Sequence, residues 1–264
     1  MSRWFLLLAG YGVIAVACQF GWLGNHWAMQ MDQWENLSPN QTTWLGTDHL
    51  GRDVLASLFQ GCRMAVGIGS IAAIISLSLG TFAGLAAGWY GRRADQILVW
   101  LAGATTAIPG LLLALTLAFA LGAGFWTLCL AIGFSSWVAV FRLVRVEVRR
   151  IRLEDYVGAA HAWGATWSHL WSKHLLPQLA PLLKVQFGLL FIFAVKAEVI
   201  LSFLGVGLID QPSWGQMIAD AWAWNDLGAG RWWRLTGATC AMAGLVLAVQ
   251  QLCEGTAHRK QAAR

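Results

Sequence analysis

The sequence predicts an all-α integral membrane protein with about six transmembrane helices, and three observations carry this prediction. Of the 264 residues, 58% are hydrophobic and only 12% are charged, whereas a soluble domain carries roughly 25% charged residues. The apolar residues form long continuous runs instead of recurring at a helical or strand period. Many of the 17 tryptophans lie at the edges of those runs, and indole rings favour the boundary between hydrocarbon and headgroups.

Six apolar runs approach the roughly 20 helical residues that a hydrocarbon core of about 30 Å requires. They extend from Trp4 to Leu23, Met64 to Trp89, Ile97 to Leu121 with Pro109 inside, Trp126 to Leu143, Pro181 to about Leu208, and Leu235 to Leu252. The second run contains many glycines, which predicts close packing between neighbouring helices.

The distribution of Lys and Arg predicts the orientation, because cytoplasmic loops carry an excess of these residues. With a cytoplasmic amino terminus, twelve of the 18 lie in inside segments and four in outside segments, and Lys184 and Lys196 fall within the fifth run. Both termini are therefore expected in the cytoplasm, and the largest inside segment runs from Arg142 to about Pro181.

Several functional classes lack support in the sequence. The net charge of +5 arises from residues between apolar runs and not from one polar face, so no nucleic-acid partner is expected. The five cysteines form no CxxC pair, and no metal site is predicted. No phosphate-binding G-x-x-x-x-G-K-[ST] run occurs, and no paired carboxylates or nucleophile with a nearby base suggest catalytic residues. A membrane enzyme or a self-sufficient channel remains the alternative class.

The inside segment 154–177 contains two predicted short helices. The first starts at the acidic pair Glu154 and Asp155, which suits a helix amino terminus, and ends at Gly164. The second runs from Trp167 to Leu176, capped by Thr166 and ended by Pro177. Two short helices joined at a glycine predict a rigid cytoplasmic projection.

The stretch from Trp44 to Asp53 lies in the first outside segment and alternates turn residues with charges. Gly46 and Gly51 predict turns, and Thr47 and Asp48 are natural helix caps. With Arg52 and Asp53 they predict a local polar network and a structural lid on the outer side.

Two ionisable residues, Lys196 and Glu198, fall towards the outer end of the fifth run. An ionisable group within a span is costly unless it faces the bundle interior, water or a partner. Residues two positions apart on a helix do not face each other, so a mutual ion pair is not expected. Lining of a transport path and a plain structural role both remain open.

Three motifs give the sequence a family resemblance. The inside segment contains Gly158-Ala159-Ala160-x-x-x-Gly164, followed by Leu176-Pro177 at the family's spacing. The outer stretch reads W-L-G-T-D-x-L-G-R-D from Trp44, and the third motif comprises L-S-F-L-G-x-G from Leu201 and P-x-W-G from Pro212. This set resembles permease subunits of ATP-binding-cassette importers in the dipeptide, oligopeptide and nickel branch, particularly the second permease of each pair. Gly158 stands where the family usually has Glu.

The resemblance implies a single permease domain over residues 1–264, with a core importer region at 64–253 and an ATPase-coupling segment at 154–177. It assigns coupling to Asp155, Gly158, Ala159, Ala160, Gly164, Leu176 and Pro177. It implies a bacterial inner membrane location, a homologous permease partner, two cytoplasmic ATPase subunits and an external substrate-binding protein. ATP and Mg would bind the ATPases, and this chain would hold no cofactor. Short peptides are the first expected substrate, and nickel or another metal chelate is the second.

Overall fold

The computed structural model describes residues 2–28, 35–164, 166–208 and 211–261, and these ranges contain helices and loops without a strand. The α-helices are α1 (Ser2–Gln19), α2 (Val54–Tyr90), α3 (Arg92–Thr106), α4 (Gly110–Leu121), α5 (Phe125–Arg152), α6 (Asp155–Ala162), α7 (Trp167–Leu170), α8 (Leu176–Phe203), α9 (Trp214–Ala223) and α10 (Trp233–Gln261). A short 3-10 helix covers Asn25–Ala28, and a π-helical turn covers Trp171–Leu175. The all-α class is confirmed.

The number of uninterrupted spans is lower than the predicted six. Within the described ranges, α2, α5, α8 and α10 are long and apolar enough to cross a membrane, and α1 is a shorter apolar helix. The run from Ile97 to Leu121 is not one helix, because α3 and α4 meet at a bend of 86°. Pro109 explains the break: it disfavours helical geometry at the residue before it, and it occupies the N-cap position of α4.

The packing of α2 against α5 shows how α3 and α4 connect them. At three glycines of α2, an added methyl group would lie 2.5 to 2.8 Å from the Cβ atom of a valine on α5. The contacting pairs are Gly80 with Val140, Gly84 with Val144 and Gly88 with Val148. Both series advance by four residues in the same direction, so α2 and α5 run parallel. The bent pair α3 and α4 must therefore return the chain across the bilayer, and the predicted role of these glycines in packing is confirmed.

Two predicted helix starts are wrong. The second span begins at Val54 and not at Met64, because Asp53 supplies a cap that the hydropathy of the run did not reveal. The fifth begins at Leu176, includes Pro181 and ends at Phe203. Here a π-turn precedes α8, and its wider ring lets the Leu176 amide donate to the Trp171 carbonyl, which accommodates the prolines in the following turn.

Helix α9 is held against α2 and α8 by close backbone contacts. Trp214 is 1% exposed and donates from its indole nitrogen to the Leu58 carbonyl oxygen on α2 at 3.1 Å. Gly215 lies against α8, where an added methyl group would be 2.5 Å from the Val199 carbonyl oxygen. The outer loops thus form one packed unit with the outer ends of α2, α8 and α10.

Candidate functional site

The outer stretch folds as the turns that its glycines predict. Gly46 and Gly51 have φ angles of +68° and +71°, a region that glycine enters without steric cost. The Asp48 carboxylate accepts hydrogen bonds from the amides of Leu50 and Arg52, each at 2.8 Å. This pairing closes the turn around Gly51, and both predicted turns are confirmed.

The helix cap lies five residues later than Asp48. The Asp53 carboxylate accepts a hydrogen bond from the Leu55 amide at 2.9 Å and caps α2. The prediction that Thr47 and Asp48 cap a helix is therefore wrong, because the helix starts only after the turn at Gly51. Thr47 instead pairs with Asp53 in an isolated antiparallel bridge and accepts a hydrogen bond from the Leu37 amide at 2.8 Å.

The polar network around this stretch reaches across the chain to α10. Arg234 is 3% exposed, forms an ion pair with Asp226 at 2.8 Å, and lies 2.9 Å from the His49 ring nitrogen. His49 stacks on Trp224 with ring centroids 4.6 Å apart. The predicted network exists, but Asp226 and Arg234 were missed because they are about 180 residues away in sequence and no local pattern connects them.

A cavity of about 300 Å³ opens beside this network. Its polar lining includes Asp48, Arg52, Asp220 and Arg234, and the Arg52 guanidinium lies over the Trp27 ring at 5.9 Å. Burial raises the pKa of the Asp220 carboxyl above its ordinary value of 3.8, although nearby Arg234 attracts the ionised form. The cavity places two carboxylates and two guanidinium groups within one outer recess.

The first helix of the segment 154–177 forms where the sequence predicts it. The Glu154 carbonyl accepts hydrogen bonds from the amides of Val157 and Gly158 at 3.0 and 3.3 Å, and α6 runs from Asp155 to Ala162. Gly164 follows with a φ of +80°, which ends the helix as predicted. Val157 is 3% exposed and anchors α6 to the core.

Three of the four predicted coupling residues on α6 are exposed. Asp155, Gly158 and Ala159 are exposed, and Ala160 belongs to the same helix. A methyl group added at Gly158 or Gly164 would have no other atom within 4 Å. These positions are free of close contacts with the described part of the chain.

The second helix of the segment 154–177 does not end at Pro177 as predicted. Helix α7 covers Trp167–Leu170, and the π-turn Trp171–Leu175 joins it to α8 without a break. Pro177 lies in the first turn of α8, where its missing amide costs little. Leu176 and Pro177 are both exposed, so the second half of the projection continues directly into a membrane span.

The two membrane charges of α8 lie in different environments. Glu198 is 1% exposed, and its Oε1 accepts a hydrogen bond from Ser202 at 2.8 Å. Lys196 is exposed on the other side of the helix, beside Ile200, which is 40% exposed. The expectation that the pair does not interact is confirmed.

A basic cluster at the carboxyl-terminal end of α5 holds α3 in place. Asp95 of α3 forms ion pairs with Arg145 and with Arg149, the latter at 2.6 Å. Arg152 donates to the Trp89 carbonyl oxygen at 2.6 Å. Sequence reasoning used these arginines only to assign orientation and missed their role in joining α2, α3 and α5.

With this geometry in place, comparison with known proteins identifies the class. Residues 80–253, well over half of the chain, match the family of binding-protein-dependent transport system inner membrane components. The chain belongs to this family, and the resemblance predicted from its three motifs is confirmed. The class is therefore a multi-pass transport component, and neither a membrane enzyme nor a self-sufficient channel is supported.

Individual relatives lie in the peptide branch of the family. The chain is 36% identical over 203 residues to the dipeptide transport system permease protein DppC of Bacillus subtilis, which covers 76% of this chain and 62% of that protein. It is 34% identical over 183 residues to the oligopeptide transport system permease protein OppC of the same organism, and this match covers 69% of this chain and 60% of OppC. A putative peptide transport permease of Brucella suis is 34% identical over 212 residues, covering 80% and 70%. The match spans about three fifths of the two Bacillus proteins.

Proposed function

We propose that this chain forms half of the transmembrane pathway of an ATP-driven importer of short peptides in a bacterial inner membrane. It would pair with a homologous permease, receive peptides from an external substrate-binding protein and depend on two cytoplasmic ATPase subunits for ATP and Mg binding. The observation that carries the proposal is the exposed projection at 154–177, whose residues have the family's spacing and no close neighbours at Gly158 and Gly164.

In this proposal, residues 155–177 transmit ATPase closure to the membrane bundle. Helix α6 follows α5 directly, and α7 continues through the π-turn into α8. A displacement of the projection would therefore reach two spans at once, which suits a bundle that switches between inward and outward access. The chain itself would hydrolyse no ATP.

We further assign different roles to the two membrane charges. Lys196 is exposed and lies between the exposed apolar residues Leu189 and Phe203 on α8, so it suits a surface that a water-filled pathway covers. Glu198 is buried, and a hydrogen bond ties it to Ser202. Its position suits a structural role between α8 and α9.

The coupling role is tested by Gly164→Asp. Gly164 has a left-handed φ of +80° and open space around it, and Asp tolerates this region better than most residues. The protein should insert at normal abundance, whereas uptake and co-purification of the ATPase subunits should both collapse, because a charge enters the proposed subunit contact. Gly164→Asn is the matched control, since it adds the same volume without the charge and should retain more coupling. Normal uptake by the Asp variant at normal abundance would refute the coupling role.

The substrate class is tested by uptake in a strain that lacks its own peptide importers. Labelled di- and tripeptides should accumulate only when this chain is expressed together with its partner permease, ATPase subunits and substrate-binding protein, because an importer of this kind conducts what its binding protein delivers. Accumulation of nickel without peptide uptake would replace the peptide assignment with the metal-chelate one. The names of the relatives, which refer to dipeptide and oligopeptide transport, support the peptide choice.

Orientation is tested separately by reporter fusions at the carboxyl terminus. The excess of Lys and Arg on one side predicts activity only for a reporter that works in the cytoplasm. An active periplasmic reporter would reverse the topology and would place the segment 154–177 on the wrong side for ATPase contact.

A further inference from the structure

An apolar groove opens between α1, α2, α8 and α10. It encloses about 790 Å³ and is lined by apolar side chains from all four helices, among them Leu8, Val66, Phe191 and Leu252. Among the lining residues that the structure describes, Lys184 of α8 carries the only charge. The groove therefore combines a long apolar wall with one cation.

The position of Lys184 along α8 places it near a membrane boundary. From Lys184 to the end of α8 at Phe203 there are 19 residues, which rise about 29 Å in an α-helix. This length equals the roughly 30 Å of the hydrocarbon core. Lys184 thus lies where α8 passes from the headgroup region into the hydrocarbon core, at the end of α8 nearer the projection. The groove extends from Lys184 towards Ser70 in the middle of α2.

Lys184 has no ion-pair partner within the described ranges, although it is exposed beside apolar surface. Glu254 on the neighbouring end of α10 is a hydrogen-bond acceptor for Gln250 at 3.0 Å instead. A cation at this depth is stabilised by an anion at the same level. No residue in the described ranges supplies that anion, so an anion from outside the chain can pair with Lys184.

The groove is separate from the surface that carries Lys196. Twelve residues separate Lys184 from Lys196, and at 100° per residue their side chains point about 120° apart around α8. If Lys196 faces a water-filled pathway, Lys184 faces another side of the bundle. The groove does not need to be part of the transport path.

We infer that this groove binds an anionic phospholipid, with one acyl chain along the apolar wall and the phosphate paired with Lys184. Basic pockets between transmembrane helices on the cytoplasmic side are suited to anionic headgroups. A substrate peptide would leave its backbone polar groups unpaired against this apolar lining. A protein segment would need an acidic side chain at this depth, whereas the bilayer supplies anionic phosphates at this level.

The test uses the permease purified with its associated subunits and placed in nanodiscs that contain phosphatidylglycerol and phosphatidylcholine. Native mass spectrometry should detect one retained phosphatidylglycerol per copy of this chain. Lys184→Ala should reduce its retention about fivefold, the change that about 1 kcal/mol per basic residue implies. Lys184→Arg keeps the charge and should retain the lipid, and Lys196→Ala is the matched control on the same helix and should behave as wild type.

A second variant separates the groove from the charge. Ser70→Leu extends an apolar side chain into the groove and leaves Lys184 unchanged, so it should also lower phosphatidylglycerol retention. Equal retention in wild type and Lys184→Ala would overturn the inference, as would equal retention of phosphatidylcholine. Efficient cross-linking of a cysteine at position 184 to the partner permease would overturn it as well, since protein would then cover the groove.

Discussion

Two regions of the chain carry family motifs. One is the outer unit, which comprises residues 35–53, α9 and the start of α10, and the other is the projection 154–177. They differ in whether contacts within the chain account for their motif residues. In the outer unit, a methyl group at Gly46 would lie 2.4 Å from the Leu37 carbonyl oxygen, and Arg234 is 3% exposed. In the projection, the same test at Gly158 finds no atom within 4 Å, and Trp163 is 93% exposed.

The difference indicates two reasons why a sequence motif can be needed: contacts within the chain, and contacts with a partner subunit. The outer motif is held by contacts within the chain: Trp233, for example, donates to the Thr47 carbonyl oxygen at 3.1 Å. The projection is anchored by Val157, which is 3% exposed, but methyl groups added at Gly158 and Gly164 would meet no described neighbour within 4 Å, so these two glycines serve no internal packing. This contrast supports the proposal that a partner subunit uses them.

The largest expected effect concerns the buried ion pair of the outer unit. Asp226→Ala removes the ion-pair partner of the buried Arg234 guanidinium, and breaking a buried ion pair by removing one partner costs about 3 to 5 kcal/mol of unfolding free energy. The variant should lose most of its monodisperse peak when detergent extracts are heated and separated by fluorescence-detected size exclusion.

The control for this prediction is Glu147→Ala at the cytoplasmic end. Its partner Arg150 is exposed and lies 3.5 Å away, so the loss should be between about 0 and 1 kcal/mol. Equal losses in the two variants would erase the distinction between the outer unit and the cytoplasmic surface.

A second comparison uses two glycines with the same backbone geometry. Gly46→Ala and Gly164→Ala both place a side chain at a positive φ, which costs about 1 to 2 kcal/mol. Gly46→Ala adds a clash with the Leu37 carbonyl oxygen, and such overpacking typically costs about 1 to 3 kcal/mol more. The thermal midpoint should fall further for the outer variant. A larger fall for Gly164→Ala would contradict the contrast.

A smaller effect is expected in the opposite direction at Gly158. The residue lies inside α6 with open space around it, so Gly158→Ala should stabilise the helix by about 0.5 to 1 kcal/mol. Limited proteolysis of the projection should slow. If Gly158→Ala accelerates cleavage, Gly158 has an internal role that its surroundings do not show. Gly158→Glu, which restores the family's usual residue, should in addition strengthen ATPase co-purification.

The smallest effect depends on pH. Burial raises the pKa of Asp220 above 3.8, so the folded state holds the proton more tightly than the unfolded chain does. Above that pH the ionised carboxylate lowers stability. Asp220→Asn should therefore raise the thermal midpoint at pH 7, and the gain, below about 1 kcal/mol for a group at a cavity rim, should shrink as the pH approaches 3.8. A gain that grows at low pH would reverse the assigned sign.

The sequence predicted those features that depend on local chemistry. The turns at Gly46 and Gly51 and the end of α6 at Gly164 follow from glycine's access to positive φ, and the spans follow from apolar runs. It failed where distant parts of the chain decide the outcome. The pairing of Asp226 with Arg234 and His49 joins segments without a shared pattern, and the passage of α7 into α8 depends on a π-turn that no residue type announces. Pro109 was visible in the sequence, but the run from Ile97 to Leu121 was taken as one span, and the bend of 86° was not predicted.

The length of α2 has a mechanical consequence. Its 37 residues extend about 55 Å, so the outer turn capped by Asp53 and the Trp89 carbonyl held by Arg152 are opposite ends of one rod. The parallel glycine contacts fix α5 to that rod along its inner half. A tilt of about 10° about the centre would carry each end about 5 Å in opposite directions. A displacement of one end of α2 would thus move the other end by the same distance in the opposite direction, without bending of the helix.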